Sequence, residues 1–471
     1  MRKWSRRQVL ALGSLGVGGA LIGGVVATTQ GAALPAGLQP GRPLPPLSPL
    51  SMSRDAAGVL SATLVASRTP TSIAGIPVRT LTYNGLLPGP VLRVREGDHV
   101  RLRFQNGLDQ ASNLHLHGLH LSPAVDAPFT HLMPGETHVY EFAAPTGSAG
   151  TYWYHPHPHG EVASQLFAGL AGALIVEGGV NDHLDVQAAE EHVLVLKDFA
   201  LQRGQVSAHS LLDLNGKEGP LVTVNGAWRP VLTARKRTLR LRLLNASTTH
   251  YYRLQLADHP LHLIATDGGF IEQPVALEQL LLAPGERAEV MVQLRSGGPF
   301  TLTDLGYSRE GGDSMASPLM TIQPLTSGPL TALSARLTKV ERLDLTGAVV
   351  RPVTLNQNFP MSFGMNGQAF DMNRVNIQAR QGTTEIWELV SRSDSDHPFH
   401  LHSYPLQVLS RNGRPEPFRA WRDVVNVRGG ETVRVAVPFR NFSGTTVYHC
   451  HIAEHEDHGM MGVLQVQPPS G

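Results

Sequence analysis

Ten of the 22 histidines in this chain lie in four short motifs, and each motif holds two histidines spaced two residues apart. The motifs are His-Leu-His at 115–117, His-Pro-His at 155–157, His-Pro-Phe-His-Leu-His at 397–402, and His-Cys-His at 449–451 with its continuation to His455. Residues i and i+2 of a β-strand project from one face, so each motif would present two imidazoles to one side. Eight such imidazoles are too many for one metal ion. They predict a small cluster of copper ions, because imidazole is a good copper ligand and copper heads the divalent affinity order.

A second metal site is predicted around Cys450, the only cysteine of the chain. Cys450 lies between the two histidines of the last motif, so its sulfur should project to the opposite face from their imidazoles. His397 likewise has opposite parity to the other histidines of its motif, and His455 and Met460 follow Cys450 by five and ten residues. Two imidazoles, a thiolate and a weak axial thioether are typical of a blue-copper electron-transfer site. The histidines on either side of Cys450 would connect this copper to the cluster.

The elements that must position these side chains repeat three times along the chain. An Asn-Gly pair begins at residues 84, 225 and 366, a spacing of 141 residues in both intervals, and a turn with alternating apolar residues follows each pair. Runs with a period of two, such as Leu239-Arg240-Leu241-Arg242-Leu243, predict half-buried strands. The sequence therefore predicts an all-β chain of three consecutive Greek-key β-sandwiches. The histidine motifs fall in the outer two units, so we expect the cluster between these units and interpret the middle unit as structural.

The N-terminal segment has the composition of a targeting sequence. Residues 1–33 contain Ser5-Arg6-Arg7 and an apolar, Gly-rich run, which resemble a twin-arginine export signal; an uncleaved membrane anchor is the alternative. We expect the remaining chain to be divided into a Pro-rich linker at 34–54 and units at 55–180, 181–330 and 331–471.

Composition narrows the partners and the location. Charged residues make up 16% of the chain and the formal net charge is +1, with no basic run beyond the N-terminus. Neither nucleic acid nor a charged membrane face is therefore expected as a partner. Export would place the protein in the periplasm or outside the cell, with no stable membrane insertion once the signal is cleaved, and we expect a monomer.

The four motifs, in this order and spacing, resemble those of the three-domain multicopper oxidases, specifically the bacterial laccase-like members. The resemblance covers about residues 55–468 and implies three cupredoxin-like domains that bind four copper ions. By the family pattern, the type 1 copper takes His397, Cys450, His455 and Met460. The type 2 copper takes His115 and His400. The type 3 pair takes His117, His155, His157, His402, His449 and His451.

Two acidic residues lie where the family carries carboxylates near the cluster. Asp126 follows His117 by nine residues, and Glu456 follows His455 directly. Reduction of dioxygen to two waters consumes four protons, which metal-bound imidazoles cannot supply. Our hypothesis is that Asp126 orients the solvent ligand of the type 2 copper and that Glu456 relays protons to oxygen. Asp396 is a further candidate, as a partner for a ligand imidazole.

The electron donor is less defined by the sequence. In the family, the imidazole that matches His455 faces the substrate, so a small reductant such as a phenol, an aromatic amine or a metal ion is expected, with dioxygen as the acceptor. Relatives that oxidise Cu(I) often carry a methionine-rich insertion, whereas this chain has 11 methionines in total. These observations favour a laccase-type phenol oxidase, with a cuprous oxidase or another metallo-oxidase as the alternative.

Two other classes of protein use the same sandwich unit. A copper nitrite reductase has a type 1 copper but would not need eight cluster imidazoles. A copper-free structural relative, such as a division protein, would be expected to lack ligands, whereas this chain keeps all twelve side chains of the family pattern.

Overall fold

The structure is a computed structural model, and it describes residues 34–179, 184–210, 213–312, 314–325, 328–358 and 362–469. The predicted export signal at 1–33 lies outside the described residues. None of the described helices is long and apolar enough to cross a membrane.

Strands dominate the described chain, as the sequence predicts. The first group is β1 (Ser53–Arg54), β2 (Leu60–Ile73), β3 (Ile76–Tyr83), β4 (Gly89–Arg95), β5 (His99–Gly107), β6 (His115–His117), β7 (Thr137–Ala143), β8 (Gly150–His155) and β9 (Gly172–Glu177). The second group is β10 (Glu190–Phe199), β11 (Leu201–Gln202), β12 (Gln205–Val206), β13 (Leu221–Val224), β14 (Val231–Ala234), β15 (Thr238–Asn245), β16 (Tyr252–Leu256), β17 (Leu261–Thr266), β18 (Gly269–Leu277), β19 (Leu280–Leu282), β20 (Arg287–Gln293), β21 (Phe300–Asp304) and β22 (Ser317–Pro324). The third group is β23 (Val349–Asn358), β24 (Ser362–Met365), β25 (Val375–Arg380), β26 (Thr384–Ser391), β27 (His397–Leu401), β28 (Gln407–Arg411), β29 (Arg414–Pro415), β30 (Val424–Val427), β31 (Thr432–Pro438), β32 (Gly444–Cys450) and β33 (Met461–Gln467).

Each group of strands forms two sheets, so the all-β prediction is confirmed. The first pair has the orders β1-β2-β5-β7, with β3 beside β2, and β4-β9-β8-β6. The second pair has the orders β13-β10-β15-β20-β17-β18 and β14-β22-β21-β16-β19, and β11 and β12 form a separate hairpin. The third pair has the orders β24-β23-β26-β31-β28-β29 and β25-β33-β32-β27-β30. An apolar core fills each pair, because alternate side chains of facing sheets point toward one another.

The repeated Asn-Gly pairs make the same turn in each group of strands. Asn84, Asn225 and Asn366 have φ values of 51°, 53° and 52°, and the glycine that follows each of them also has a positive φ. Both residues therefore adopt the left-handed conformation that an Asn-Gly turn requires. Each asparagine also accepts a hydrogen bond at its Oδ1 from a strand backbone N–H, at 2.7, 2.8 and 2.7 Å. The same asparagine thus forms the turn and, through its side chain, holds the turn to a strand.

The strand β15 differs from its sequence prediction. Its alternation of Leu and Arg predicts one solvated face, but all eight of its residues are buried. Glu289 on the neighbouring strand β20 pairs with the guanidinium groups of both Arg240 and Arg242, and Glu191 accepts a hydrogen bond from Nε of Arg242 at 2.8 Å. Arg242 also reaches the first pair of sheets, where its Nη1 donates to Oγ1 of Thr151 at 3.0 Å. These glutamates take the place of water as partners of the two arginines. Strand β15 can therefore be buried between two groups of sheets although one of its faces is polar.

Four short helices interrupt the described strands, and two of them carry residues of the site. They are α1 (Pro123–Asp126), α2 (Val162–Ala168), α3 (Leu184–Ala188) and α4 (Ala453–Asp457). Asp457 at the end of α4 accepts hydrogen bonds from the backbone N–H groups of Gly160, Val162 and Ala163 at 3.0, 3.1 and 2.8 Å. The Asp457 carboxylate therefore caps the N-terminus of α2. Because α4 belongs to the third group of strands and α2 to the first, this cap joins the two groups.

Candidate metal centres

The histidine motifs lie on paired strands that face one another. In the first group of strands, β6 pairs with β8 so that His115 lies opposite His155. In the third group, β27 pairs with β32 so that His400 lies opposite His449. The second histidine of the motifs at 155, 400 and 449 lies just beyond the end of its strand, where the chain can turn it toward the facing pair.

The eight predicted cluster histidines meet in one buried site. Their nitrogens form three groups, each able to hold one metal ion. The groups are His117 with His155 and His451, His157 with His402 and His449, and His115 with His117 and His400. All of these side chains are buried, and every group takes nitrogens from both outer groups of strands. The expectation that the cluster lies between the first and third units therefore agrees with the geometry.

The ring nitrogens approach one another more closely than uncoordinated imidazoles need to. Nδ1 of His117 lies 3.3 Å from Nε2 of His155. Nε2 of His449 lies 3.2 Å from Nε2 of His157 and 3.0 Å from Nε2 of His402. Nitrogens aimed at a shared point are the arrangement that a metal ion requires.

The site also contains buried polar atoms that lack a partner. Neither ring nitrogen of His451 has a hydrogen-bond partner among the described residues, although His451 is buried. An unpaired buried polar atom is costly, and a metal ion would satisfy one of these nitrogens. The donor set therefore fits copper.

Burial keeps most of these imidazoles neutral, which is the state that binds a metal. Removal from water, followed by the nearby imidazoles, lowers the pKa well below its ordinary value in His115, His155 and His400. The pKa of His451 is lowered to about 3 for the same reasons. His157 differs: burial lowers its pKa, but the carboxylate of Glu456 outweighs burial and the pKa is raised.

Asp126 bridges two imidazoles of the site. Its Oδ1 accepts a hydrogen bond from Nδ1 of His115 at 2.6 Å, and its Oδ2 accepts one from Nδ1 of His402 at 2.7 Å. The Nε2 atoms of both rings are thereby left for a metal, and Nε2 of His115 lies 3.3 Å from Nε2 of His400. The predicted role of Asp126 on a solvent ligand stays a prediction; the geometry shows a carboxylate that orients two rings.

Glu456 lies on the opposite side of the site. Its Oε1 lies 2.9 Å from Nε2 of His157, and its Oε2 lies 3.1 Å from Nδ1 of His449. Burial alone would raise the pKa of Glu456, but these two imidazoles hold it well below its usual range. A carboxylate therefore lies beside two of the predicted cluster histidines, and its role as a proton relay stays a prediction.

Asp423 is a residue of the site that the sequence analysis did not find. Its Oδ1 accepts a hydrogen bond from Nε2 of His117 at 2.8 Å, and its backbone carbonyl accepts one from Nδ1 of His400 at 2.8 Å. The side chain also pairs with Arg287. Asp423 belongs to no motif and lies 21 residues after His402, so its own sequence context gives no signal.

A second group of ligand atoms surrounds Cys450. Its Sγ lies 3.6 Å from Nδ1 of His397 and 3.7 Å from Nδ1 of His455, and these three atoms could hold one metal ion. Met460 is buried in the same core cluster, and its backbone bonds both the N–H of Cys450, at 3.0 Å, and the carbonyl of His455, at 2.9 Å. Burial raises the pKa of the Cys450 thiol to about 12, so metal binding there must displace a proton.

The suggested role of Asp396 is wrong. Its carboxylate accepts hydrogen bonds from Tyr307 Oη at 2.6 Å and Asn426 Nδ2 at 2.8 Å, and it does not contact the imidazole beside it in sequence. The Oγ of Ser393 instead lies 2.7 Å from Nε2 of His397. Asp396 precedes strand β27, and its bonds to Tyr307 and Asn426 hold its carboxylate on partners other than the imidazole of His397.

The imidazole of His455 is covered. Phe363 stacks on it with ring centroids 4.6 Å apart, and both side chains are buried. A cavity of about 420 Å³ adjoins the same helix, α4. Its lining consists of Gly160, Ala163, Ser164, His209, Ser210, Asp213, Leu214, Glu454, Asp457 and His458.

These features are those of a copper-binding oxidoreductase, and comparison with known proteins agrees. Three models of the family described as multicopper oxidase match residues 65–180, 150–310 and 342–470. The chain therefore belongs to the multicopper oxidase family, a family of copper-binding oxidoreductases.

Individual relatives match over most of their length. A multicopper oxidase from Staphylococcus haemolyticus is 32% identical, over 82% of this chain and 84% of its own. The structure of a multicopper oxidase from Campylobacter jejuni, described as a metallo-oxidase, matches 93% of this chain and 98% of its own with a TM-score of 0.85 and 30% identity. A bacterial laccase-like multicopper oxidase from Ochrobactrum sp. matches 90% of this chain and 100% of its own, with a TM-score of 0.82 and 30% identity. The prediction of three cupredoxin-like sandwiches is thus confirmed.

The relatives also include proteins named for another role. The cell division protein FtsP of Escherichia coli is 30% identical, over 82% of this chain and 85% of its own. Family membership alone therefore does not distinguish an enzyme from a protein with another role. The metal site is the feature that can distinguish them.

Proposed function

We propose that this chain is a laccase-type multicopper oxidase. It would take electrons one at a time from phenols and aromatic amines and pass four of them, with four protons, to dioxygen, which forms two waters. Bound copper supplies the one-electron transfer and the reduction of dioxygen, while the chain binds, orients and insulates the copper. The observation that carries the proposal is the position of Cys450, whose sulfur faces one group of ligand atoms while the histidines beside it face the other.

The proposed ligand assignment combines the groups of neighbouring atoms with the family pattern, which adds Met460 and gives His117 to the type 3 pair. The type 1 copper takes His397, Cys450, His455 and Met460. The type 2 copper takes His115 and His400. The type 3 coppers take His117, His155 and His451 on one side, and His157, His402 and His449 on the other.

Electrons that enter at Cys450 need to cross only its own backbone. His449 and His451 are its covalent neighbours, and Nδ1 of His449 donates a hydrogen bond to the carbonyl of Cys450 at 3.0 Å. Each of these histidines belongs to a different type 3 group, so both halves of the pair are reached from one residue.

The carboxylates of Asp126 and Glu456 have different roles in this proposal. Asp126 holds His115 and His402 with Nδ1 protonated, which keeps Nε2 free for metal. Glu456 lies against His157 and His449 and would pass protons toward the reduced oxygen through its Oε1 and Oε2 atoms.

The preference for organic donors is supported by the ring that stacks on His455 and by the cavity beside helix α4, the helix that carries His455. The stacked ring of Phe363 and the cavity beside α4 offer aromatic, imidazole and carboxylate contacts. The described residues of the cavity lining include no methionine, although thioethers are the soft ligands that favour Cu(I). The similarity to the laccase-like enzyme of Ochrobactrum sp., which is described as acting on lignin model compounds, supports the same substrate class.

A cuprous oxidase is the second candidate, and one exposed methionine favours it. Met372 is 47% exposed, and nearby in the chain Phe370 donates a backbone hydrogen bond to the carbonyl of Gly459, next to Met460. A thioether is therefore present at the surface on the type 1 side. The similarity to the enzyme described as a metallo-oxidase points in the same direction.

Oxygen uptake with the two donors separates the candidates. The copper-loaded protein would be assayed with a simple phenol and with Cu(I), and Cys450→Ser would be used to subtract autoxidation. A higher kcat/KM for the phenol is expected; a much higher value for Cu(I), reduced by Met372→Leu, would replace the proposal with the cuprous oxidase. Copper counted per chain tests the oxidase class itself, since four ions are expected, against about two for a nitrite reductase and none for a copper-free structural protein.

Export and oligomeric state complete the proposal. We propose that the chain leaves the cytoplasm by the twin-arginine route, on the basis of Ser5-Arg6-Arg7, and acts as a monomer in the periplasm or outside the cell. Replacement of both arginines by lysine should retain the protein in the cytoplasm. Light scattering should give the mass of one chain.

A further inference from the structure

A buried arginine from the middle group of strands contacts the metal site through one carboxylate. Nη1 and Nη2 of Arg287 donate hydrogen bonds to Oδ1 and Oδ2 of Asp423 at 2.7 and 2.6 Å. Oδ1 of Asp423 in turn accepts from Nε2 of His117 at 2.8 Å. All three side chains are buried, and they come from the second, third and first groups of strands respectively.

The orientation of Arg287 is fully determined. Besides the two bonds to Asp423, its Nε donates to the carbonyl of Thr151 at 3.1 Å, Nη1 donates to that of Gly285 at 3.1 Å, and Nη2 donates to that of Asp267 at 3.0 Å. A guanidinium group has five N–H donors, so every donor is used. Such a group can hold a carboxylate in one position by a planar, two-point contact that lysine cannot reproduce.

The position of Asp423 decides which nitrogen of His117 can bind metal. Because Nε2–H is donated to Asp423, the lone pair is left on Nδ1, and Nδ1 lies 3.3 Å from Nε2 of His155 in the group that includes His451. The backbone carbonyl of Asp423 likewise takes Nδ1–H of His400, which leaves Nε2 of His400 for metal. One residue thus sets the coordinating atom in two different groups of the site.

The surrounding backbone leaves no room for another arrangement. A Cβ at Gly118, the residue after His117, would overlap the guanidinium of Arg287 and the carboxylate of Asp423. A Cβ at Gly285 would lie 2.9 Å from the ring of His451. The repeated turn of the middle group of strands therefore packs directly against the metal site.

The sequence repeat marks the same position. The turns Pro134-Gly135-Glu136 and Gly429-Gly430-Glu431 are followed by Thr137 and Thr432, whereas the middle turn, Pro284-Gly285-Glu286, is followed by Arg287. The middle copy thus differs from the outer copies by an arginine at the one place where its turn reaches the cluster.

We infer that Arg287 is a positioning residue of the trinuclear copper site: it fixes Asp423, and Asp423 fixes the coordinating nitrogens of His117 and His400. The middle group of strands, interpreted from the sequence as structural, therefore takes part in building the site. This inference rests on the copper sites of the proposed function and is independent of the electron donor.

The test compares the copper-loaded wild type with Arg287→Met and Arg287→Lys. We expect Arg287→Met to keep the blue absorption of the type 1 copper, which lies elsewhere. We expect its trinuclear site to bind copper about 10- to 100-fold more weakly and to show an altered electron paramagnetic resonance signal for the type 2 copper. Arg287→Lys restores the charge without the two-point contact and should recover only part of the loss.

Arg242→Met is the matched control. Arg242 is another buried arginine of the middle group of strands, and its Nη1 donates to Oγ1 of Thr151 at 3.0 Å and to Glu289 at 2.6 Å. We expect it to lower the stability and leave the type 2 signal as in the wild type. An unchanged signal and copper content in Arg287→Met would overturn the inference, and so would an equal change in Arg242→Met. A wild type without cluster copper would instead overturn the proposed function.

Discussion

The Oδ2 atom of Asp126 accepts a hydrogen bond from Nδ1 of His402 at 2.7 Å, and both residues are buried although they are 276 positions apart in the chain. The other oxygen of the same carboxylate is bonded to His115 at 2.6 Å. A single side chain on the short helix α1 therefore joins the first and third groups of strands at the metal site. This contact places two imidazoles in register before any metal arrives.

Asp126→Ala should weaken copper binding at the cluster. Both His115 and His402 would lose the acceptor that fixes their Nδ1–H, and we expect about a 10- to 100-fold loss of affinity for the cluster copper, measured by metal analysis after dialysis against a graded chelator. The blue absorption should remain. Ser122→Ala, which removes the Oγ cap at 3.3 Å from the N–H of Val125 in the same helix, is the control. Equal copper loss in both variants would assign the effect to helix α1 and contradict the role of Asp126.

Glu456→Gln should slow the step that depends on dioxygen. The amide keeps the size of the side chain beside His157 and His449, but it cannot take up and release the protons that the reduced oxygen needs. We expect oxygen-limited turnover to fall by at least about 10-fold and its dependence on pH to change, with the blue absorption retained. Stopped-flow reoxidation of the reduced enzyme across pH measures this directly.

Glu454→Gln provides the comparison for Glu456. Glu454 is buried on the same helix, but it accepts hydrogen bonds from Thr249 Oγ1 at 2.8 Å and from the N–H of Lys217 at 3.0 Å, away from the cluster. Its substitution should lower stability and leave the pH profile of reoxidation unchanged. If Glu456→Gln reoxidised like the wild type at every pH, the relay role would be lost.

The sequence predicted which histidines come together, and which of them lie with Cys450, because this information is local. Parity along a strand is enough to send Cys450 to one side and His449 to the other, and a repeat of identical turns is enough to predict three similar folding units.

What the sequence did not predict depends on contacts between distant segments. Asp423 and Arg287 lie in different groups of strands, and each resembles an ordinary charged residue until the fold brings them together. The burial of Arg240 and Arg242 on β15 could not be predicted from alternation, since the pattern does not say whether water or another sheet covers the polar face. In each of these cases the sequence did not predict the position of a residue because that residue pairs with a charged residue far away in the chain.

Phe363→Ala should open the electron-entry side. The ring of Phe363 covers the imidazole of His455, so its removal would expose that edge to larger donors. We expect kcat/KM for a bulky phenol to rise relative to that for a small one, together with a loss of stability of roughly 3–5 kcal/mol from the cavity left in the core. Phe439→Ala, at a buried ring that packs on Trp387 and Tyr404, should destabilise the chain without changing this ratio. An unchanged ratio in Phe363→Ala would contradict the assigned entry side.

Glu289 should make the protein sensitive to acid. Burial by itself raises the pKa of Glu289, but the guanidinium groups of Arg240 and Arg242 outweigh burial and hold it at about 2. A carboxylate whose pKa is lower in the folded state stabilises the fold above its unfolded pKa, near 4.5, and this contribution is lost as the pH falls toward 2. The loss amounts to roughly 3 kcal/mol.

The measurement is the free energy of unfolding of the metal-free chain by denaturant titration between pH 7 and pH 3. Glu289→Gln should be less stable at pH 7 by about 3–5 kcal/mol, because Arg240 and Arg242 lose their charged partner. It should also lose less further stability than the wild type as the pH falls, because the titrating group is gone. Glu141→Gln, at an exposed pair with Arg101 on the first sheet, should follow the wild-type curve. Parallel acid limbs for wild type and Glu289→Gln would show that the buried charge cluster between the groups of sheets is not the acid-sensitive element.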